Sequence, residues 1–195
     1  MINLLSYNEA LDLLNRYGKN ASWVQHCLAV SRLAAYFSET FAVKYALDPD
    51  FIRCAALLHD IGRYKTHHPV LHGVEGYKLL VDLGYPKEAF ICASHVFLNS
   101  EEALSYGLPK RDFLPSSFEE KLIPLVDFLV EHDRPTSLEE RFKSLRERHN
   151  VNKDFLNRIK PIEFKTRAFM HQLNREFNLS VEEIARKICS SGLTK

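Results

Sequence analysis

One short helical segment constrains this chain of 195 residues more than any other feature. The segment Phe51–Leu58, FIRCAALL, is apolar almost all round, which is typical of a helix at the centre of a domain. Asp48-Pro49 precedes it and supplies a start signal, with proline at the first helical position. His59 and Asp60 follow directly. Burial of such polar residues costs several kcal/mol unless they are paired or bound to a metal.

Helical periodicity extends over most of the remaining chain. Apolar residues recur at intervals of three and four from Trp23 to Phe41, behind Ser22 as a candidate N-cap. Two further helices are predicted over Leu71–Leu83 and Pro86–Leu98. No alternation of apolar and polar residues indicates a sheet. The prediction is therefore an all-α fold, a single-domain helical bundle over residues 1–195.

The later part of the chain carries local signals of helix starts and of one loop. Capping boxes of the form Ser-x-x-Glu predict helix starts at Ser117, Ser137 and Ser180. Pro124 follows the first box and predicts a kink or a late helix start. The segment 98–115 mixes Asn, Ser, Gly and Pro, which predicts a long loop or lid. Residues 141–176 carry more Lys and Arg than Asp and Glu, which indicates a solvated helical face.

The composition excludes several classes of function. A net charge of +1 provides no overall field that would attract nucleic acid or a membrane surface. No apolar stretch approaches the length of a membrane span, and the N-terminus lacks the features of a signal peptide, so we expect a cytoplasmic protein. The four cysteines form no C-x-x-C pair, which favours buried free thiols over a cysteine zinc site. We expect a monomer or homodimer with a small-molecule partner.

Several more polar residues fall on helix faces that otherwise look inward. His26, His95 and Asp127 share faces with apolar residues, and His72 opens a predicted helix. A lone inward histidine is usually a hydrogen-bonded core residue, but a shared metal ion would supply the missing positive charge for all of them together. Imidazoles and carboxylates suit divalent Mn, Fe, Co, Ni or Zn better than Ca or Mg.

The order His26, His59-Asp60, Asp127 resembles the H…HD…D signature of the HD superfamily of metal-dependent phosphohydrolases. The segment Ala55–Gly62 is similar to that family's ALLHDIG segment almost letter for letter. The resemblance spans residues 22–145 and leaves residues 146–195 as a C-terminal helical extension. It implies a helical bundle of the HD-domain type. It also implies the bimetallic, HDIG-type pattern, because His72 and His95 stand where two-metal members add two histidines.

The resemblance further implies roles for individual residues. Two divalent ions would be held by six ligands, with Asp60 bridging: His26, His59, Asp60, His72, His95 and Asp127. Asp60 and Arg63 would be catalytic, and substrate phosphate would be bound by Arg63, His68 and Arg134. Arg63 stands where the family usually has Lys, and the alternative is that it is an ordinary surface arginine. The alternative for His68 is a surface loop histidine, and for Arg134 it is an ion pair with a nearby carboxylate. The implied reaction is hydrolysis of a nucleotide or another small phosphate ester or phosphodiester by a metal-activated water.

Two other functions fit the same residues. HD-domain proteins with this ligand set include di-iron oxygenases that cleave a C–C or C–P bond, and imidazole and carboxylate ligands also suit iron. A regulatory or metal-storing module is the third possibility. A second dipeptide, His132-Asp133, lies between Glu131 and Arg134 and is interpreted as an exposed helix end. Glu75 lies one turn after His72, where it is either solvated or a hydrogen-bond partner of the site.

Overall fold

The computed structural model describes residues 5–190 of the chain. Over that range it contains ten α-helices, one 3-10 turn and a two-stranded hairpin, which confirms the all-α prediction. The helices are α1 (Tyr7–Gly18), α2 (Ser22–Phe41), α3 (Pro49–Leu58), α4 (Leu71–Asp82), α5 (Pro86–Ser94), α6 (Ser100–Ser105), α7 (Phe118–Phe128), α8 (Leu138–Arg148), α9 (Lys153–Phe177) and α10 (Val181–Ser190). The 3-10 turn is Ile61–Tyr64, and strands β1 (Val130–Glu131) and β2 (Arg134–Pro135) pair antiparallel.

Helix α3 is the buried helix that the sequence predicts. The Asp48 carboxylate accepts a hydrogen bond from the Phe51 amide at 3.0 Å, and Pro49 occupies the first turn. All side chains from Cys54 to Leu58 are buried, and α3 packs against α1, α2, α5 and α7. The residues that follow α3 are thereby placed in the interior of the protein.

The C-terminal helices complete the main hydrophobic core. Met170 and Leu173 of α9 and Val181 of α10 belong to the same cluster of buried side chains as Phe37 and Phe41 of α2. A second cluster lies under α1 and includes residues of α3 and α4. The helices beyond residue 145 therefore share a core with the helices before it.

Several predicted boundaries need correction. Ser22 is the first residue of α2 rather than its cap, since Ala21 occupies the cap position without a side-chain hydrogen bond. Helix α5 ends at Ser94 instead of Leu98, because Phe97 adopts a positive φ of 57° and the backbone leaves the helix. The hairpin at Val130–Pro135 was not predicted, because two-residue strands leave no detectable alternation in the sequence.

The predicted helix starts are largely confirmed. Capping boxes are present at Ser117 and Ser137, and the Ser180 hydroxyl accepts a hydrogen bond from the Glu183 amide at 3.4 Å. Helix α7 starts at Phe118 and continues through Pro124, so the expected late start is wrong. The segment 98–115 is not one loop, because α6 lies within it.

Two glycines bring backbones into direct contact near the end of α3. A Cβ on Gly62 would lie 1.9 Å from the His72 carbonyl oxygen and 2.4 Å from the Gly76 nitrogen. A Cβ on Gly73 would lie 2.4 Å from the Cys92 carbonyl oxygen. Without side chains at these positions, the 3-10 turn packs on α4 and α4 packs on α5, which brings residues of three elements close together.

None of the helices between residues 5 and 190 combines the length and the apolar character that a membrane crossing requires.

Candidate metal centre

Side chains from five parts of the chain converge where the carboxyl ends of α3 and α5 meet α2, α4 and α7. Each is at most 8% exposed: His26, His59, Asp60, His72, His95 and Asp127. These are the six residues that the sequence singles out as candidate ligands. They are separated by up to a hundred positions along the chain and are brought together by the packing of the helices.

The six side chains form two groups that share one carboxylate. Nitrogens of His26 and His59 lie 4.0 and 3.8 Å from Oδ2 of Asp60. Nitrogens of His72 and His95 lie 2.9 and 3.5 Å from Oδ1 of the same residue. Within each group the ligand atoms all lie within 4.8 Å of one another, which is compatible with a metal ion in each group.

Asp127 adds a second carboxylate to the first group. Its Oδ1 lies 2.9 Å from Nε2 of His26 and 3.8 Å from Nε2 of His59. The first group therefore offers two imidazoles and two carboxylates, and the second offers two imidazoles and one carboxylate. This donor set fits divalent transition metals.

Backbone carbonyl groups set the orientation of all four imidazoles. Nδ1 of each ring donates to a carbonyl oxygen: His59 to Ala56 at 2.7 Å, His72 to His68 at 2.8 Å, His26 to His132 at 2.9 Å and His95 to Ile91 at 3.3 Å. A carbonyl oxygen only accepts, so Nδ1 carries a proton, and Nε2 of the neutral ring presents its lone pair. The same arrangement orients histidines that bind metals in other proteins.

The resulting lone pairs face one another at short distances. Nε2 of His72 lies 2.9 Å from Nε2 of His95, and Nε2 of His26 lies 2.9 Å from an oxygen of Asp127. Burial lowers the pKa of His59 to about 4 and also lowers the pKa of His72, which keeps these two rings neutral at neutral pH. Between two neutral rings, or between a neutral ring and a carboxylate, such contacts are repulsive unless a cation lies between the atoms.

Two buried polar atoms of the cluster lack hydrogen-bond partners. Nε2 of His59 and Oδ1 of Asp60 have no hydrogen-bond partner, although both are inaccessible to solvent. Burial opposes ionisation of Asp60, but the charge of Arg63 holds the pKa of this carboxyl well below its usual range. An ionised carboxylate beside an orphaned lone pair is what a metal ion would satisfy. The residues therefore fit a bound divalent metal.

A cavity of about 490 Å³ opens onto this cluster. Its wall includes Asp60, His72, His95 and Asp127, so the cluster forms one end of the cavity. The wall also contains six basic side chains: Arg63, His67, Arg141, Arg148, His149 and Arg158. Apolar side chains form the remaining surface: Pro69, Val96, Phe97, Phe128, Leu145, Phe155, Ile159 and Ile162.

The residues predicted to bind substrate lie at different distances from this cavity. Arg63 lines it and donates from Nε to Oδ2 of Asp60. His68 lines an adjoining cavity, and its Nδ1 accepts hydrogen bonds from the Val70 and Leu71 amides at 3.2 Å, at the start of α4. Arg134 lies exposed on β2 and is not part of the cavity wall. Of these three residues, the structure places only Arg63 beside the cluster.

Other residues discussed from the sequence take supporting positions. The second His-Asp dipeptide, His132-Asp133, forms the exposed turn of the hairpin rather than a helix end, and the carbonyl of His132 orients His26. Glu75 forms an ion pair with Lys65 at 2.6 Å. Burial raises the pKa of Cys54 to about 11, and raises those of the other two buried thiols, so cysteine chemistry has no support here.

Sequence reasoning missed the basic residues that the C-terminal helices bring to the cavity. All four basic residues from these helices fall in the stretch 141–176, which the sequence analysis interprets as a solvated face: Arg141, Arg148, His149 and Arg158. The sequence did contain one signal that these arginines share a position in the fold. Arg141 and Arg148 are seven residues apart, which places them on the same face of α8. Phe142 and Leu145, which adjoin that face, pack in the core.

Comparison with known proteins identifies the family to which the chain is similar. The HD domain family model matches residues 23–145. Uncharacterized protein MJ0778 of Methanocaldococcus jannaschii is 35% identical over 162 residues, which are 80% of this chain and 93% of that protein. No solved structure matched significantly.

Two further relatives are tRNA (cytidine(56)-2'-O)-methyltransferases. That of Thermoplasma volcanium is 32% identical over 133 residues, or 67% of this chain and 38% of the enzyme. That of Picrophilus torridus is 35% identical over 96 residues, or 48% of this chain and 28% of the enzyme. The matched family model covers more than half of the chain, and its span contains all six clustered side chains. The chain belongs to the HD domain family.

Proposed function

We propose that this protein is a phosphohydrolase that holds two divalent transition-metal ions and hydrolyses a nucleotide or another small phosphate ester. One observation carries the proposal. Four imidazoles donate from Nδ1 to backbone carbonyl oxygens, which leaves their Nε2 atoms facing two buried carboxylates. The two groups share Asp60, so this carboxylate would bridge the two ions.

Two bound ions would lower the pKa of a water molecule and hold the phosphate in line with it. The protein's own residues would bind and orient the substrate. Arg63 uses Nε to hold Asp60, and the other donors of its planar guanidinium remain for phosphate oxygens. In this role Arg63 would both fix the bridging carboxylate and neutralise charge on the phosphate.

The size and lining of the cavity limit the size and chemical character of the rest of the substrate. About 490 Å³ is within the range of small-molecule sites. Phe97, Phe128 and Phe155 line the cavity and offer apolar area for a base or another organic group. Because two relatives are named as enzymes that methylate tRNA, phosphate esters derived from RNA belong among the compounds to be tested.

The test combines metal analysis of the purified protein with a panel of phosphate esters. We expect two equivalents of a transition metal and release of phosphate from at least one ester. Asp60→Ala should abolish both while the helical circular-dichroism signal stays near wild type. Asp133→Ala is the matched control, because it changes the aspartate of the other His-Asp dipeptide, in the exposed turn of the hairpin.

Three results would contradict the proposal. Turnover retained by Asp60→Ala would remove the bridging role. Oxygen uptake by the iron-loaded protein without phosphate release would favour the di-iron oxygenase instead. Tight metal binding without turnover of any ester would favour a regulatory or metal-storing module.

A further inference from the structure

Helix α8 places two arginines beside the metal centre. Arg141 and Arg148 are two helical turns apart, and both line the cavity that opens onto the cluster. The side chain of Arg141 is only 13% exposed, whereas that of Arg148 is 45% exposed. One arginine therefore lies in the interior and the other at the rim.

The inner arginine is incompletely satisfied. One terminal nitrogen of Arg141 lies 3.9 Å from Oδ1 of Asp127, and the other lies 3.3 Å from Oε1 of Glu131. Its Nε is buried and has no hydrogen-bond partner. A buried guanidinium N–H without an acceptor is costly, so the site lacks an acceptor that a ligand would supply.

The two arginines share one carboxylate oxygen. Arg148 also donates to Oε1 of Glu131, at 2.9 Å, and the same oxygen accepts from the Ser144 hydroxyl at 2.7 Å. One negative charge thus faces two positive charges. Among the described residues of the cavity wall the only carboxylates are Asp60 and Asp127, which belong to the cluster. One positive charge and several N–H donors are left over on this side of the cavity.

Arg63 and the inner arginine of α8 contact different carboxylates of the cluster. Arg63 contacts Asp60, and Arg141 contacts Asp127. Arg63 would bind a phosphate at the cluster. The remaining N–H donors of the arginines of α8 would then be available to a neighbouring anionic group. Guanidinium pairs favour phosphate oxygens because their planar forks donate two hydrogen bonds at once.

We propose that Arg141 and Arg148 bind a second phosphoryl group of the substrate, adjacent to the one that is attacked. The substrate class is then an ester that carries at least two phosphoryl groups, rather than a simple monophosphate. This inference rests on the proposed function, because it names the substrate class of the same site. It makes Arg141 and Arg148 the residues that determine specificity.

The experiment measures binding of inorganic pyrophosphate and of orthophosphate to the metal-loaded protein by calorimetry. Arg148→Ala should weaken pyrophosphate binding about 10-fold and Arg141→Ala about 10- to 100-fold, the range of one or more charge-assisted hydrogen bonds. Orthophosphate binding should change less than about 3-fold, since a single phosphate binds at the ions and Arg63. The contribution of the ions is common to all variants, so the difference between anions isolates the arginines.

Arg146→Ala is the matched control on the same helix. Arg146 is 46% exposed and pairs with Glu163, which keeps Arg167 as a second partner at 2.8 Å. Binding of both anions by this variant should equal wild type. Arg148→Ala keeps the inference testable if Arg141→Ala fails to fold, because Glu131 then retains Arg141 and Ser144.

An equal loss for both anions, or no loss for either, would overturn the inference. The outcome is distinct from that of the proposed function. If wild type hydrolyses a monophosphate ester and Arg148→Ala binds pyrophosphate normally, hydrolysis stands and the second phosphoryl site is refuted. If no ester is hydrolysed but pyrophosphate binding depends on Arg148, the anion site stands and the hydrolase proposal fails.

Discussion

Each histidine of the cluster is oriented by a backbone carbonyl, and three of these carbonyls are local. Ala56, His68 and Ile91 lie three or four residues before the histidines that they orient, which is about one helical turn. The fourth carbonyl belongs to His132, more than a hundred residues from His26. Three rings are therefore oriented by local contacts. The ring of His26 depends instead on a hairpin that the sequence analysis did not predict.

The candidate ligands could be predicted because they interrupt apolar faces and follow a familiar order. The basic residues of the cavity could not be predicted in the same way. Arg141 and His149 lie in a stretch whose charge suggests solvent, and their position depends on how α8 packs against α7 and α9. Charge content describes a segment as a whole, whereas burial is decided by the face on which a residue lies.

Removal of a ligand from one group should empty that group alone. His95→Ala should reduce the metal content from two ions to one. The second group would keep only two of its three ligands, Asp60 and His72, which is too few to retain the ion. Emission spectrometry of the purified variant measures this directly. His171→Ala is the control, since His171 is exposed on α9. Full metal content in His95→Ala would show that this histidine is not a ligand.

At the scale of the elements, helix starts were more predictable than helix ends. The starts of α3, α7 and α8 are fixed by side chains that hydrogen-bond to the next turn, and these signals are local. The segment that follows α5 is held by a contact that is distant in sequence, because the Leu98 carbonyl accepts a hydrogen bond from the Phe113 amide at 2.8 Å. A single sequence carries little information about such a contact.

The contact between the 3-10 turn and α4 predicts a strong effect at Gly62. Gly62→Ala should lower the metal content and destabilise the fold by about 3 kcal/mol or more, since the Cβ would meet backbone atoms that cannot rotate away. Metal analysis and denaturant unfolding measure the two effects.

Gly76→Ala provides the comparison for this prediction. Its Cβ would lie 3.0 Å from the Cys92 sulfur, which belongs to a side chain. We expect a smaller loss of stability and a metal content closer to wild type. Equal behaviour of the two variants would show that the close approach at Gly62 does not position the centre.

For the whole molecule, the C-terminal helices are part of the core. Leu173 of α9 is fully buried in the cluster that contains Phe37 and Phe41. Leu173→Ala should lower the free energy of unfolding by about 2–5 kcal/mol, as large-to-small changes in cores do. Denaturant unfolding measures the loss, and metal content should not change.

Phe164→Ala is the control on the same helix, because Phe164 is 76% exposed. It should change the unfolding free energy by no more than about 0.5 kcal/mol. If Leu173→Ala were equally mild, α9 would be attached to the rest of the protein without sharing its core.

Arg158 of α9 has a consequence for protein engineering. It donates to the carbonyl oxygens of Val96 and Phe97, directly after His95, and also to the Glu102 carboxylate. A fragment cut at residue 145 would leave these two carbonyls bare and open one wall of the cavity. Transfer of this candidate metal centre to another scaffold would therefore require α9 together with residues 23–145, which the family model matches.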